Sequence, residues 1–431
     1  MKYLILLILF FMLFFFKNAS IALLIYAFFA ADRDGYAFLE FFSTVLPDFK
    51  LYSRSIFLLL FIYSIWFLFF KIKKIDKISC FKLFGVLIAS FLIVFNSLFK
   101  DGDFLWAVSL LVFNGVPVYL IWYVMGLKYN NNNIFNNYII LKTIVATAVL
   151  LIPALVFLDG SLYKAEEGLF VNDVSDLNLS LPTGDSIKGA YSRYSIYHNP
   201  NSLGFHSVIA LLVGTYLMLN NGKVIRLLGL GVIGCAIIGW LNSLTRGPLL
   251  FFALGFGYII FLNALSGKKE NFLVKMFLVL TSFIGGAFIF ILSDISHYLI
   301  PSSNDISVVD RMQGYIYSID VIRSHFLLGV SKNWDWGMYY PHFMPLSLTA
   351  DHGFLVGIIE SALIFVGGVI TIIKSSKIYI SHNGDRKAAF FSIMLVFVVF
   401  GIAVTNNFTS PVVFWIMLAQ ADILNKRALK C

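Results

Sequence analysis

Residues 353–373 read GFLVGIIESALIFVGGVITII, an apolar run whose only ionisable side chain is Glu360. A helix rises about 1.5 Å per residue and a bilayer core is about 30 Å thick, so about 20 such residues cross it. Polar and apolar residues do not alternate as a membrane-barrel strand requires, so the run reads as a transmembrane helix. That reading sets the fold class. Upstream, Asp351 and His352 close a long polar stretch; downstream, Lys374 and Lys377 follow at once. Glu360, a carboxylate inside the run, requires a partner because lipid supplies none.

The same pattern recurs on both sides. Apolar runs at Tyr3–Ala31, Ser55–Phe70, Leu83–Phe99, Phe104–Met125, Tyr138–Leu158, Ser202–Asn220, Leu227–Ser243, Pro248–Leu265 and Met276–Leu292 precede it, and Ala388–Thr405 and Pro411–Leu424 follow. The expectation is an all-α polytopic membrane protein with about twelve transmembrane helices in a single integral-membrane domain, residues 1–431. Composition agrees: 59% of residues are hydrophobic and 13% charged, against about a quarter charged in soluble domains.

The first run is long and carries Lys17, so two half-length segments or a re-entrant hairpin are alternatives to one crossing. One crossing places Lys71, Lys73, Lys74, Lys77 and Lys82 with Lys223, Arg226, Lys268, Lys269, Lys275, Lys374, Lys377, Arg386, Lys387, Lys426, Arg427 and Lys430. The positive-inside rule makes that side cytoplasmic, with both termini on it. The net charge of +9 is then mostly a topology signal, and no nucleic-acid partner is expected. Cys80, Cys235 and Cys431 lie in a cytoplasmic loop, a span and the terminus, so neither a disulfide in the external loops nor metal-ligand spacing is expected. No nucleotide-binding motif occurs, and no cofactor is expected.

Two long polar loops, Asp159–Asn201 and Ser293–His352, fall on the opposite side. They are where a binding or reaction site has room. The first turns from acidic to basic and aromatic toward Arg193, Tyr194 and His198, then runs through Asn199-Pro200-Asn201 into a span. Pro200 disfavours helix at Asn199, so the helix starts after it with Asn201 or Ser202 as cap, and its N-terminus suits an anion. The second loop holds an amphipathic stretch, Asp310 to about Leu328, whose apolar residues Met312, Ile316, Ile319, Ile322 and Phe326 recur as in a helix lying on the bundle. Asp310 reads as its N-cap and Arg311 as part of its first turn; Arg323 lies about 18 Å further along. The loop's Trp334, Trp336, Tyr339 and Tyr340 fit an interfacial aromatic belt, with stacking on sugars as the alternative. Ser243 to Pro248 forms a tight turn carrying Arg246, which either snorkels to lipid phosphate or is fixed rigidly for a substrate. His352 is either a hydrated interfacial histidine or, when neutral, a base whose basicity Asp351 raises.

Four segments occur in a telling order: His198-Asn199-Pro200-Asn201-Ser202-Leu203-Gly204, Leu244-Thr245-Arg246-Gly247, Asp310-Arg311 to Leu328-Gly329, and Asp351-His352-Gly353. In order and spacing this resembles the O-antigen ligase and O-antigen polymerase superfamily of bacterial inner membranes, over about Arg193 to Gly368. The resemblance implies a GT-C-like fold and glycan transfer from undecaprenyl diphosphate at the periplasmic face, without a metal. It implies Arg246 and Arg311 on the diphosphate with Arg193 as a third, and His352 as base toward the acceptor hydroxyl. Asn199, Asn201 and Arg323 complete the expected substrate-binding set. The acceptor is the lipid A-core sugar for a ligase, or a second lipid-linked repeat for a polymerase. The histidine favours the ligase; Gly353 after it, where ligases commonly carry Asn, Ser or Gln, and Leu363 near the place of the first glycine of their Gly-x-x-Gly step favour a polymerase or a divergent ligase. A flippase or transporter is the reading from another class, and the apparent gathering of ionisable residues at the outer surface argues against it.

Overall fold

The computed structural model describes residues 49–70, 77–128, 200–218, 222–243, 246–266, 306–331, 334, 341, 343–381, 385–405 and 411–428, some of them in backbone alone. The expected crossings Tyr3–Ala31, Tyr138–Leu158 and Met276–Leu292, and the loop 159–199, lie outside the described residues. Within them the chain is all helical: α1 (Phe49–Phe70), α2 (Lys77–Asp101), α3 (Phe104–Asn114), α4 (Val116–Lys128), α5 (Pro200–Met218), α6 (Lys223–Ser243), α7 (Arg246–Ser266), α8 (Ile306–Ser324), α9 (Met344–His352), α10 (Phe354–Ile380), α11 (Arg386–Thr405) and α12 (Pro411–Ala428). Four of these contain stretches long and apolar enough to cross a membrane: Ser79–Asp101, Lys223–Trp240, Phe354–Ile380 and Arg386–Val404.

Local chemistry sets several boundaries. The side chain of Asp103 caps α3 by accepting from the Trp106 amide. Pro200 and Pro411 open α5 and α12, where a missing N–H costs nothing. The expected single crossing Phe104–Met125 is instead two helices, because Gly115 adopts a left-handed conformation at φ +74° and ends α3. Residues 116–126 of α4 are buried on every side, as a helix apolar all round must be. Between α5 and α6, a Cβ on Gly214 or Gly229 would meet the other glycine's carbonyl oxygen. Such small residues let backbones approach where no water-driven force joins helices.

Side-chain contacts fix the register. Helices α2 and α10 run antiparallel, with Asn96 beside His352, Gly85 beside Leu363 and Lys82 beside Gly367. Helices α10 and α12 run parallel, Thr371 meeting Asp422 and Ser375 meeting Asn425, and α11 packs against both, Ser392 accepting from Ser375. One end of the bundle, the basic end, therefore carries Lys377, Arg386, Lys387 and Lys426.

Two expectations need correcting. Lys82 is not a loop lysine and Cys80 is not in a loop; both belong to α2. Lys82 is 2% exposed, and its ammonium donates to both oxygens of Asp422 at 2.8 and 2.7 Å and to Thr371 Oγ1 at 2.7 Å. Tyr119 and Thr371 hydroxyls donate to the same carboxylate. This pair ties α2, α4, α10 and α12 together inside the bundle. The second correction concerns α8, which starts at Ile306, so Asp310 is inside the helix and Arg311 in its second turn. Only the end of its apolar stripe lies on the bundle: Met312 is 55% and Ile316 60% exposed, with Gly314, Ser318 and Val321 buried instead, whereas Ile322 packs beside Val321 and Phe326 stacks on Phe354.

Candidate functional site

Opposite the basic end, α8, α9, α10 and the end of α2 meet around His352. Helix α9 stops at His352, and Gly353 at φ +90° turns the chain into α10. On the facing segment, α8 passes into a turn that closes at Gly329, φ +75°. Only glycine holds these conformations without strain, and here a side chain would also collide: a Cβ on Gly353 strikes the Leu327 carbonyl, and one on Gly329 strikes the backbone of Asp351 and Gly353. With no side chains between them, the two turns exchange backbone hydrogen bonds, Val330 N to Ala350 O at 2.8 Å and Phe354 N to Phe326 O at 2.9 Å. The rings of Phe326 and Phe354 stack over the junction.

Helix α2 closes the arrangement from the third side. The Lys100 ammonium donates to Asp351 O at 2.8 Å and Leu328 O at 3.3 Å, one carbonyl from each turn, and Asn96 Nδ2 donates to His352 O at 2.7 Å. These carbonyls sit at chain breaks where no helical N–H reaches them. His352 ends 7% exposed. Burial, and secondly the Lys100 charge, push its pKa down to about 3. Burial and Lys100, not the expected carboxylate Asp351, set its basicity, and the imidazole is neutral throughout the physiological range.

That shift has a testable consequence for stability. The folded histidine stays neutral while the unfolded one protonates below about 6.5, so its contribution is complete above that pH and declines on acidification, by about 2 kcal/mol at pH 5. The thermal midpoint of purified protein should therefore fall less between pH 7 and 5 in His352→Asn than in the wild type. Parallel declines would show that the ring is not held neutral by the fold.

No protein-family model matches the chain, and no curated protein matches it. The site therefore rests on its own residues.

Arg246 is the first residue of α7 and Asn201 the second of α5, and both helices begin at the end opposite the basic one, since Phe251 packs on Gly401 and Tyr216 on Phe391. Their side chains, and that of Arg311 on α8, lie outside the described residues, as do Arg193 and Asn199 altogether. Arg323 is exposed in the last turn of α8 and pairs with Asp320 at 3.2 Å. Such a surface pair contributes little, and it directs Arg323 along its own helix. Glu360 is fully buried in α10.

Lys100 and Asn96 are residues that the sequence reading missed. A lysine followed by an aspartate at the end of an apolar run reads as an ordinary interfacial cation. The available signal was the pairing of two glycines, Gly329 and Gly353, in separate segments, each demanding an unusual turn that some donor must then satisfy.

Proposed function

We propose that the chain is a membrane glycan transferase of the kind its motifs resemble, most closely an O-antigen ligase. In this reading it moves a glycan from undecaprenyl diphosphate to a lipid A-core sugar at the periplasmic face of a bacterial inner membrane, with both termini cytoplasmic. The observation that supports it best is His352: a neutral imidazole fixed by three elements, at the end of the bundle where the helices bearing Arg246 and Asn201 also begin.

His352 takes the proton from the acceptor hydroxyl as that oxygen attacks the anomeric carbon. The bond to the diphosphate breaks in the same displacement, which inverts the anomeric centre. An imidazole depressed this far is ready to accept a proton but is a weak base. A bound diphosphate counters the Lys100 charge and raises that basicity while substrate is present. Arg246 and Arg311 steady the departing diphosphate, with Arg193 as a third cation; a guanidinium forks onto phosphate and keeps its charge.

His352→Ala and Arg246→Ala, each in protein that inserts normally, should lower transfer from a lipid-diphosphate donor by about 10²- to 10³-fold. Full transfer by either variant removes the mechanism. Lipopolysaccharide from a deletion strain separates ligase from polymerase: bare core with polymer retained on the carrier for the ligase, core plus one repeat for the polymerase.

Transport of a lipid-linked glycan is the second reading. It gains support from the Lys82–Asp422 pair inside the bundle and from the helix broken at Gly115, both features of transport pathways. Purified protein in detergent has no gradient or second compartment, so glycan transfer there favours the transferase, and its absence favours transport.

A further inference from the structure

Building on the transferase reading, we propose that Lys100 is a positioning residue of the outward site: by clamping the carbonyls of Leu328 and Asp351 together it fixes how the His352 ring is presented to substrate. Its two bonds join two turns from separate segments of the chain. The residue lies on a third element, so its hold is independent of the backbone bonds between the turns. Asn96, one helical turn earlier on the same face of α2, holds the His352 carbonyl itself. Together they restrain the backbone on both sides of the peptide that carries the imidazole.

The ammonium uses two of its three donors on carbonyls. Its charge is also felt by the imidazole, second only to burial. The other titratable groups on elements packed here are Asp101 on α2, Tyr315, Tyr317, Asp320 and Arg323 on α8, His325 in the turn after it, Asp351 on α9 and Glu360 on α10; α11 presents none at this end. Arg323 is exposed and paired with Asp320. His325 bonds Ser324 and packs edge-on to Trp334. Lys100 is the cation whose charge, after burial, disfavours protonation of His352.

The test uses full-length protein in nanodiscs with labelled histidine, the His352 resonance being assigned by its loss in His352→Asn. In the wild type this resonance should not titrate between pH 5 and 8. In Lys100→Gln its pKa should rise by about one unit or more, and the line should broaden as the ring samples more orientations; Lys100→Arg, which keeps the charge, should restore the wild-type behaviour in part. A wild-type His352 that titrates near 6.5, or a Lys100→Gln resonance unchanged in position, width and pKa, overturns the proposal, and the wild-type arm decides even if the glutamine variant does not assemble. Transfer assays run in parallel keep the two claims apart. A wild type without transfer activity but with a Lys100-dependent resonance removes the transferase reading alone. Transfer whose pH profile is identical in wild type and Lys100→Gln removes the positioning role alone.

Discussion

Replacing Lys82 by Met is expected to destabilise the bundle by about 3–5 kcal/mol, because it leaves the Asp422 carboxylate inside the protein with two hydroxyl donors and no cation. Removing both partners should be far milder. In Lys82→Met/Asp422→Leu no charge is stranded, the single hydroxyl proton of Thr371 turns to the Gly367 carbonyl at 2.9 Å, and Tyr119 loses its bond to Asp422, at a cost of about 1–3 kcal/mol. Thermal unfolding of the detergent-solubilised protein, followed by tryptophan fluorescence, reads the difference. A double variant as unstable as the single one would mean that the pair is not the source of the loss. The double variant also bears on function: if it is folded and transfers glycan, the pair is a structural tie among four helices, whereas a folded but inert double variant assigns it a working role.

The Lys82 pair shows where the sequence stopped being readable. A positive-inside argument assigns a lysine within a turn or two of a span's end to the aqueous side; Lys374 and Lys377 fall within the last two turns of α10, and Arg386 opens α11. For Lys82 the same logic fails because its partner, Asp422, is remote in sequence and sits on a helix that reads as ordinary. Charge pairing across a bundle has no local periodicity. The run at 353–373 was legible for the opposite reason: length and composition alone select a helix, and the described α10 extends it only to Ile380.

Helix α8 was half legible. The three- and four-residue recurrence of Met312, Ile316 and Ile319 announces a helix, but periodicity identifies a face without saying what that face meets. In water the apolar face turns to the core; in a membrane protein small and polar residues such as Gly314 and Ser318 suit close packing, and they form the buried face here. The Gly115 break was visible only as a glycine two residues before Pro117, a signal that many continuous spans also carry. His352 was found from its place at the mouth of a span, while its environment was not, because Lys100 and Asn96 reach it from α2, about 250 residues earlier in the chain.

Gly353→Ala is expected to be the most damaging conservative change at the His352 site. The residue sits at φ +90°, a conformation that costs a side-chain-bearing residue about 1–3 kcal/mol. Its added methyl would also run into the Leu327 carbonyl and the backbone of Leu328. Backbone cannot rotate aside as a flexible side chain can, so the two turns must separate, stretching the Phe354–Phe326 and Val330–Ala350 bonds and the Lys100 bridge with them. Overpacking of this kind adds about 1–3 kcal/mol. Gly102 supplies the control: it too has a positive φ, +65°, but a Cβ there meets nothing within 4 Å, so Gly102→Ala should show the conformational cost alone. The thermal midpoint of Gly353→Ala should fall well below that of Gly102→Ala, and His352, no longer enclosed, should regain a pKa near 6.5. Equal midpoints for the two variants, with His352 still silent to pH in Gly353→Ala, would mean that the turns are not locked together as the hydrogen bonds indicate, and that the histidine's burial has another origin.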